Sequence, residues 1–375
     1  MYKIALNMIV KNETKVLPRL LASLKNVVDY YVIVDTGSSD GTQDLIKSIM
    51  DDYQIPGEIH NRDWVNFGVN RDQALQLAIG KAEYALIIDA DEELVNSNFN
   101  HLNLDAPCYY ITRDYGGLFY QLPYLINIKY KNFLGWKWNG AVHNYLTSAL
   151  NVDTYNLSKD DIYILSHPNQ GAKSHNRSLK EKYLHDAELL LTDLKKNPND
   201  TRAQFYLARS YACAGRIDLA KEAYLKRIQM HGWKEEIVCS YIALIKIYLN
   251  ENQLKEALTI SETAKKLNPL RIKEIYYPII SYYYDNADYI SAYELANPLM
   301  FKSVNDLQTC LFVEQNIENY LFKDKSSMIC HHLGKYYEMF LICNSLLLEI
   351  PFSELSRVRN NMNYALSKMF NIFTT

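Results

Sequence analysis

The first hundred residues alternate between short apolar runs and amphipathic stretches. Ile4 to Val10 (IALNMIV) is almost continuously apolar and closes on Lys11, Asn12 and Glu13. Leu17, Leu20, Leu21 and Leu24 then recur at helical spacing, with Pro18 in a first turn, where proline is tolerated. Tyr30 to Val34 (YYVIV) forms a second run that ends at Asp35 and enters the turn TGSSDGT, from which a helix is predicted at about Thr42. Glu58 to His60 predicts a short third strand, and Val69 to Ile79 a helix with Ala74, Leu75 and Ala78 on one face. Tyr84 to Asp89 (YALIID) reads as another buried strand. Strands that are apolar on both faces and alternate with helices predict a parallel α/β sheet with covering helices.

Beyond Leu94 the pattern loosens. Cys108 to Thr112 and Ile162 to Leu165 predict strands, and Gly116-Gly117 and Phe133 to Asn139 (FLGWKWN) predict loops and short strands between them. From about Ser178 the spacing is helical throughout. Leu179 to Lys196 is amphipathic and stops at Asn197-Pro198. A repeat follows. Leu207, Ala208, Tyr211, Ala220 and Tyr224 stand at offsets taken up again by Leu244, Ile245, Tyr248, Ala257 and Ser261, then by Ile279, Ile280, Tyr283, Ala292 and Ala296. The shifts from Ala220 to Ala257 to Ala292 resemble the tetratricopeptide pattern of stacked helix pairs. A generic helical bundle is the alternative. The segment from Asp306 onward predicts a further pair and a cap.

Composition narrows the function classes. A net charge of −3 over 375 residues gives no basic field for nucleic acid or anionic membrane. The six cysteines form no CxxC pair and suggest reduced thiols in a cytoplasmic protein. Cys330-His331-His332 has no second ligand cluster beside it, so packing is the favoured reading. The sequence shows neither a signal peptide nor a run of transmembrane length.

The chemistry concentrates where the Tyr84 strand ends. Asp89 and Asp91 are separated only by Ala90. Two carboxylates ~4 Å apart repel by roughly 4 kcal/mol at an effective dielectric of ~20, so the pair calls for a proton, a base or a cation. Hard divalent cations bind oxygen ligands shared with substrate phosphates, which suggests Mg²⁺ or Mn²⁺ on a diphosphate. The plainer reading is an acidic turn starting a helix at Glu92 and Glu93. Asp35, Asn12 and Glu13 end neighbouring strands on the same predicted sheet edge, where ligands of open α/β sheets gather. Asp35 could accept from a base N–H, Asp89 from a ribose hydroxyl, and Arg71 could reach a phosphate or steady the acidic pair.

Taken in order, MIVKNE, VDTGSSDGT, NFGVNRDQAL and IIDADEEL resemble the motifs of family 2 glycosyltransferases of the GT-A fold. The helical remainder resembles a subgroup in which that domain is fused to tetratricopeptide-like repeats. The resemblance implies an α/β GT-A (Rossmann-like) domain over residues 1–170, followed by an all-α tetratricopeptide-like repeat domain over 178–375. It implies inverting transfer of a hexosyl or N-acetylhexosaminyl group from a nucleotide-sugar donor, UDP-linked, to a protein, peptide or glycan acceptor. Mn²⁺ or Mg²⁺ would sit on the diphosphate. Val10, Asn12, Glu13 and Asp35 would surround the base, Arg71, Asp89 and Ala90 the ribose and phosphates, and Asp91 with Asp89 the metal. His167, before Pro168, is a candidate third ligand, with a structural histidine as the alternative. Trp136 and Trp138 are candidates to stack on a sugar or to fill the core.

Two departures from the family pattern stand out. Thr36 occupies the place after Asp35 where relatives carry a second acid, and Asn144 follows His143 where the subgroup carries Glu. The catalytic base is then His143 or Asp114, or the domain is inactive and the chain is an interaction scaffold. A sugar nucleotidyltransferase is a minor rival, because KNETK lacks that class's glycine-rich loop. The helical half would recruit the acceptor or form a homodimer.

Overall fold

The computed structural model describes residues 2–96, 102, 104–116, 118–129, 134–167, 170–171, 178–302, 307 and 310–372. Gly117, Phe133, Pro168 and Asp306 lie outside them. The chain divides into two units, residues 1–216 and 217–375.

The first unit is built on strands β1 (Tyr2–Val10), β2 (Tyr30–Asp35), β3 (Gly57–Asn61), β4 (Ala82–Ile87), β5 (Glu92–Asn96), β6 (Cys108–Tyr115), β7 (Leu118–Asn127), β10 (Thr154–Asn156) and β11 (Ile162–Ser166). Their order is β3-β2-β1-β4-β7-β6-β11-β5, with β10 on β6. The β3-β2-β1-β4 part is parallel, and β7 runs antiparallel to both β4 and β6. The sheet is therefore mixed. The short pair β8 (Lys137–Asn139) and β9 (Tyr145–Thr147) stands apart from it.

Alternation along the parallel strands divides the core between the sheet's faces. Ile33, Leu86 and Leu6 pack in one cluster with Leu17, Leu20, Leu21 and Leu24 of α1 (Leu17–Leu24) and Ile46 and Met50 of α2 (Thr42–Asp52). Val32, Ala85 and Ile87 pack in another with Leu75 and Ala78 of α3 (Phe67–Ala78), Ile126 and Trp136. Asn66 caps α3 by accepting from the Val69 N–H at 2.9 Å. Gly68 in its first turn lies so close to the Gly140 carbonyl that a Cβ there would sit 2.5 Å from that oxygen. This brings the 140–144 segment against α3.

Two helices beyond residue 178 belong to this first unit. The α4 helix (Leu179–Lys196) opens with a reciprocal capping box between Ser178 and Glu181. The α5 helix (Thr201–Cys213) is capped by Asp200.

The second unit is helical: α6 (Ile217–Gln229), α7 (Lys234–Asn250), α8 (Leu254–Leu267), α9 (Ile272–Asp285), α10 (Tyr289–Ala296), α11 (Phe322–His332), α12 (Tyr336–Leu346) and α13 (Leu355–Ile372). Ala220, Ala257 and Ala292 are fully buried at the expected repeat positions. Each repeated turn carries one left-handed residue: Gly215, Asn252, Ala287 and then Gly334. Beside these, Arg216, Gln253, Asp288 and Lys335 donate back to the carbonyls of Tyr211, Tyr248, Tyr283 and Cys330 at 2.8–2.9 Å. Cys330 thus occupies the fourth tyrosine position. His332 stacks on Tyr289, ring centroids 4.1 Å apart, so the Cys-His-His run packs helix ends together. Tyr282, Tyr283 and Tyr284 are half-buried against the helical core. Among the described residues no helix is long and apolar enough to cross a membrane.

Candidate functional site

The carboxyl ends of β1, β2 and β3 are in register: Val10 is opposite Asp35, and Asp35 opposite Asn61. Thr36 turns inward, its N–H and hydroxyl both donating to the Val10 carbonyl, at 2.9 and 3.1 Å. That leaves Asp35 as the acid of this edge. Its side chain is buried. Oδ1 accepts from the Gly37 and Ser38 N–H groups at 2.8 and 2.7 Å, while Oδ2 has no partner among the described residues. Asp35, Gly37, Ser38, Gln43, Asn61, Arg62 and Asp63 line a pocket of about 480 Å³, within the range of small-molecule sites. Asn12 holds the rim, with a φ of 57°. Its N–H donates to Ser38 Oγ at 2.9 Å, and its Oδ1 accepts from the Ser39 N–H at 2.8 Å. The Glu13 N–H donates to Thr42 Oγ1 at 2.9 Å.

The acidic turn is built differently from its plainer reading. Glu92 and Glu93 begin strand β5, not a helix, and pair with Ser166 and Leu165 of β11. Glu92 is fully buried beneath the turn. Its Oε2 accepts from the Asp89 N–H at 2.9 Å, its Oε1 accepts from the Tyr124 hydroxyl at 2.9 Å, and Arg113 Nε lies 2.8 Å from Oε1. Arg113 also donates to Tyr120 and Ser166 at 3.0 and 2.8 Å. Burial pushes the Glu92 carboxyl up to about 7 against the pull of Arg113.

This base separates the two aspartates. Asp89 pairs with Arg71, and the Arg71 guanidinium lies 5.0 Å from the Trp138 ring. Burial raises the Asp89 carboxyl, but Arg71 and Arg113 outweigh it and hold it below the usual carboxylate range. Asp91 is pushed up, first by burial and then by Asp89. No basic side chain pairs with it among the described residues. The Asp89 side chain is 41 % accessible to solvent.

Residues 6–101 match the family model described as glycosyl transferase family 2. The N-terminal domain belongs to that family. Over 110 residues the chain is 36% identical to a TPR repeat-containing protein of Synechococcus elongatus, an overlap of 28% of this chain and 25% of that protein. Over 94 residues it is 32% identical to an uncharacterized glycosyltransferase of Rickettsia felis, covering 25% of this chain and 30% of that one. The chain therefore spans less than a third of the length of either relative. Among solved structures, S. aureus TarS 1-349 in complex with UDP-GlcNAc is similar at 15% identity and a TM-score of 0.35, over 83% of this chain and 97% of that one.

The remaining candidates of this family 2 domain lie around that centre. His167 donates its backbone N–H to the Asp91 carbonyl at 3.0 Å, and its ring Nε2 lies 3.1 Å from Glu93 rather than on Asp91. Among the described residues no three His, Cys, Asp or Glu side chains group to hold an ion. Asp91 alone fits a hard cation whose other ligands come from a diphosphate and water. His143 is exposed with a φ of 48°, and Asn144 Oδ1 accepts from Arg71 Nη1 at 2.7 Å. Asp114 follows Arg113 on β6 and so faces the opposite side of the sheet from the buried pair. Trp136 is core, at 4 % exposure. Sequence reasoning missed Glu92, Arg113 and Tyr124. The one available signal was an arginine inside a β-branched strand segment, Ile111-Thr112-Arg113.

Proposed function

We propose that this protein is an inverting, metal-dependent glycosyltransferase using a UDP-linked hexose or N-acetylhexosamine. The observation that carries the reading is the buried, unpartnered Asp35 Oδ2 at a pocket on the same sheet edge as the Asp89-Ala90-Asp91 turn. A bare carboxylate oxygen there matches a base N–H, such as that of uracil. Val10, Asn12 and Glu13 line the base side. Arg71 and Asp89 face the ribose and phosphates, with Ala90 between the acids.

Asp91 is the residue that would hold Mn²⁺ or Mg²⁺. A bound cation supplies charge neutralisation on the departing diphosphate. Arg71, already oriented by Asp89 and Asn144, adds a fixed cation beside the phosphates without reorganising. His143 or Asp114 takes the acceptor's proton as the hydroxyl attacks the anomeric carbon from the far side. His167 serves the same turn through its backbone and Glu93, or as a further ligand after reorienting. The helical repeats recruit a protein, peptide or glycan acceptor, or a second copy of the chain, in the cytoplasm. In this reading the transferase domain is residues 1–170 and the repeat domain 178–375, with α4 and α5, its first two helices, falling in the compact first unit.

The test is a calorimetric screen of UDP, GDP and ADP, each with Mn²⁺ and with EDTA. UDP with metal should bind and raise the melting temperature by mass action. Binding of none of the three would favour the scaffold reading.

A further inference from the structure

We infer that helices α4 and α5 are working parts of the sugar-transfer site, with Tyr206 and Arg202 as positioning residues that hold the His143-Asn144 turn against Arg71. This rests on the proposed transferase function.

His143 is a non-glycine residue in the left-handed region, a conformation that persists only where its surroundings over-determine it. The α5 helix supplies those surroundings. The His143 ring stacks on Tyr206 with centroids 4.1 Å apart and planes 11° off parallel. Tyr206 is itself buried, at 6 % exposure, and packs edge-on against the fully buried Phe205. The Arg202 guanidinium lies between two rings, 4.8 Å from Tyr145 and 4.9 Å from Tyr206, and its Nε donates to the His143 carbonyl at 3.3 Å. From α4, Asp193 accepts the Ala141 N–H at 2.9 Å. The turn is thus gripped by helices on one side.

Its other side reaches the chemistry. Asn144 Oδ1 takes one arm of Arg71 at 2.7 Å, and Arg71 gives its other arm to Asp89. Asn144 Nδ2 is buried and has no partner among the described residues, which leaves an amide donor for an oxygen of a bound molecule. A chain of direct contacts therefore runs from α5 through the His143-Asn144 turn and Arg71 to Asp89. Misplacing a reacting group by about 1 Å costs on the order of a hundredfold in rate. Loosening the turn should lower kcat more than it weakens donor capture, because Arg71 keeps its pairing with Asp89 and the Asp35 pocket does not touch the turn.

The experiment uses the full chain and the variants Tyr206→Leu, Tyr206→Phe, Arg202→Ala and Arg202→Lys. Turnover of UDP-sugar with Mn²⁺ is measured alongside ¹⁵N spectra of the His143 imidazole and the Arg71 guanidinium. Tyr206→Leu should lower kcat by about tenfold or more at a donor KM within about twofold of wild type. Tyr206→Phe, which keeps the stacking ring, should restore most of the rate, and Arg202→Lys should recover only part of what Arg202→Ala loses. If Tyr206→Leu does not fold, Arg202→Ala carries the comparison. Unchanged kcat, or a loss matched by an equal rise in KM, overturns the inference. If the wild-type protein turns over no nucleotide sugar, the functional proposal falls separately, and the spectra decide. Both the His143 and the Arg71 signals should move on Tyr206→Leu. An Arg71 signal that stays fixed while His143 moves would overturn the mechanical link.

Discussion

Replacing Arg113 by methionine removes the cation that neutralises the buried floor of the acidic turn. Glu92 is wholly inaccessible and the Arg113 side chain is 18 % exposed. Breaking such a pair from one side costs about 3–5 kcal/mol, because the other charge stays buried. The partial exposure of Arg113 places the expected loss near 3 kcal/mol. The loss should depend on pH. A carboxyl raised above its unfolded value stabilises the fold at low pH, and that contribution disappears as pH rises through the folded value. For Glu92 this window runs from the ordinary carboxyl range to about 7. Without Arg113 it extends above 7, so the variant should lose about 1 kcal/mol more at pH 8 than at pH 7, because wild-type Glu92 has nearly finished titrating there.

Thermal unfolding followed by tryptophan fluorescence reports mainly this unit, since three of the four tryptophans, Trp64, Trp136 and Trp138, lie in it, while Trp233 of the second unit is already exposed. At roughly 2–4 °C per kcal/mol for a unit of this size, the midpoint should fall by roughly 6–12 °C. Adding Glu92→Gln should recover most of the loss, because the uncompensated charge is gone. A drop of under about 1 kcal/mol at both pH values, or a double variant worse than Arg113→Met, would refute the reasoning.

Other positions give separate checks. Asp35→Asn should weaken UDP binding at least tenfold by calorimetry, since it neutralises the carboxylate and replaces one of its acceptor oxygens with a donor amide. Ala257→Leu forces a larger side chain into a fully buried helix crossing and should cost about 1–3 kcal/mol in urea unfolding. Asp288→Ala removes the cap on the Ser291 N–H and should cost about 1 kcal/mol by the same assay.

The parallel half of the sheet was legible because its strands are apolar on both faces and end in turn chemistry, as Tyr30–Asp35 does before Gly37 and Gly41. Strand β7 was not, because Pro123 interrupts it. The structure accommodates that proline at a bulge, where Leu122 faces Ile111 but Leu125 faces Tyr109. Glu92 and Glu93 carry helix-start chemistry in the sequence, and only tertiary burial against Arg113 makes Glu92 a strand residue. Three helix repeats could be read from Ala220, Ala257 and Ala292. The further pair expected beyond Asp306 is α11 and α12, but its register could not be aligned with the others, because Met339 takes the alanine's place and its turn lies at Gly334, farther from Ala287 than the earlier turns are from each other. Asp35 and the Asp89/Asp91 pair could be found by type and position. Arg71 could be named as a partner for the acidic pair, but that it takes Asp89 and leaves Asp91 without a base could not, nor that its other arm is held by Asn144, far along the chain.

The central claim is metal-dependent turnover of a nucleotide sugar at Asp91. The direct measurement is UDP release from UDP-glucose, UDP-galactose, UDP-GlcNAc and UDP-GalNAc, by wild type and Asp91→Asn, with Mn²⁺ and with EDTA. The account predicts release from at least one donor that requires both Mn²⁺ and Asp91, with EDTA and Asp91→Asn each reducing it to background. Full release by Asp91→Asn, or release indifferent to EDTA, would contradict it.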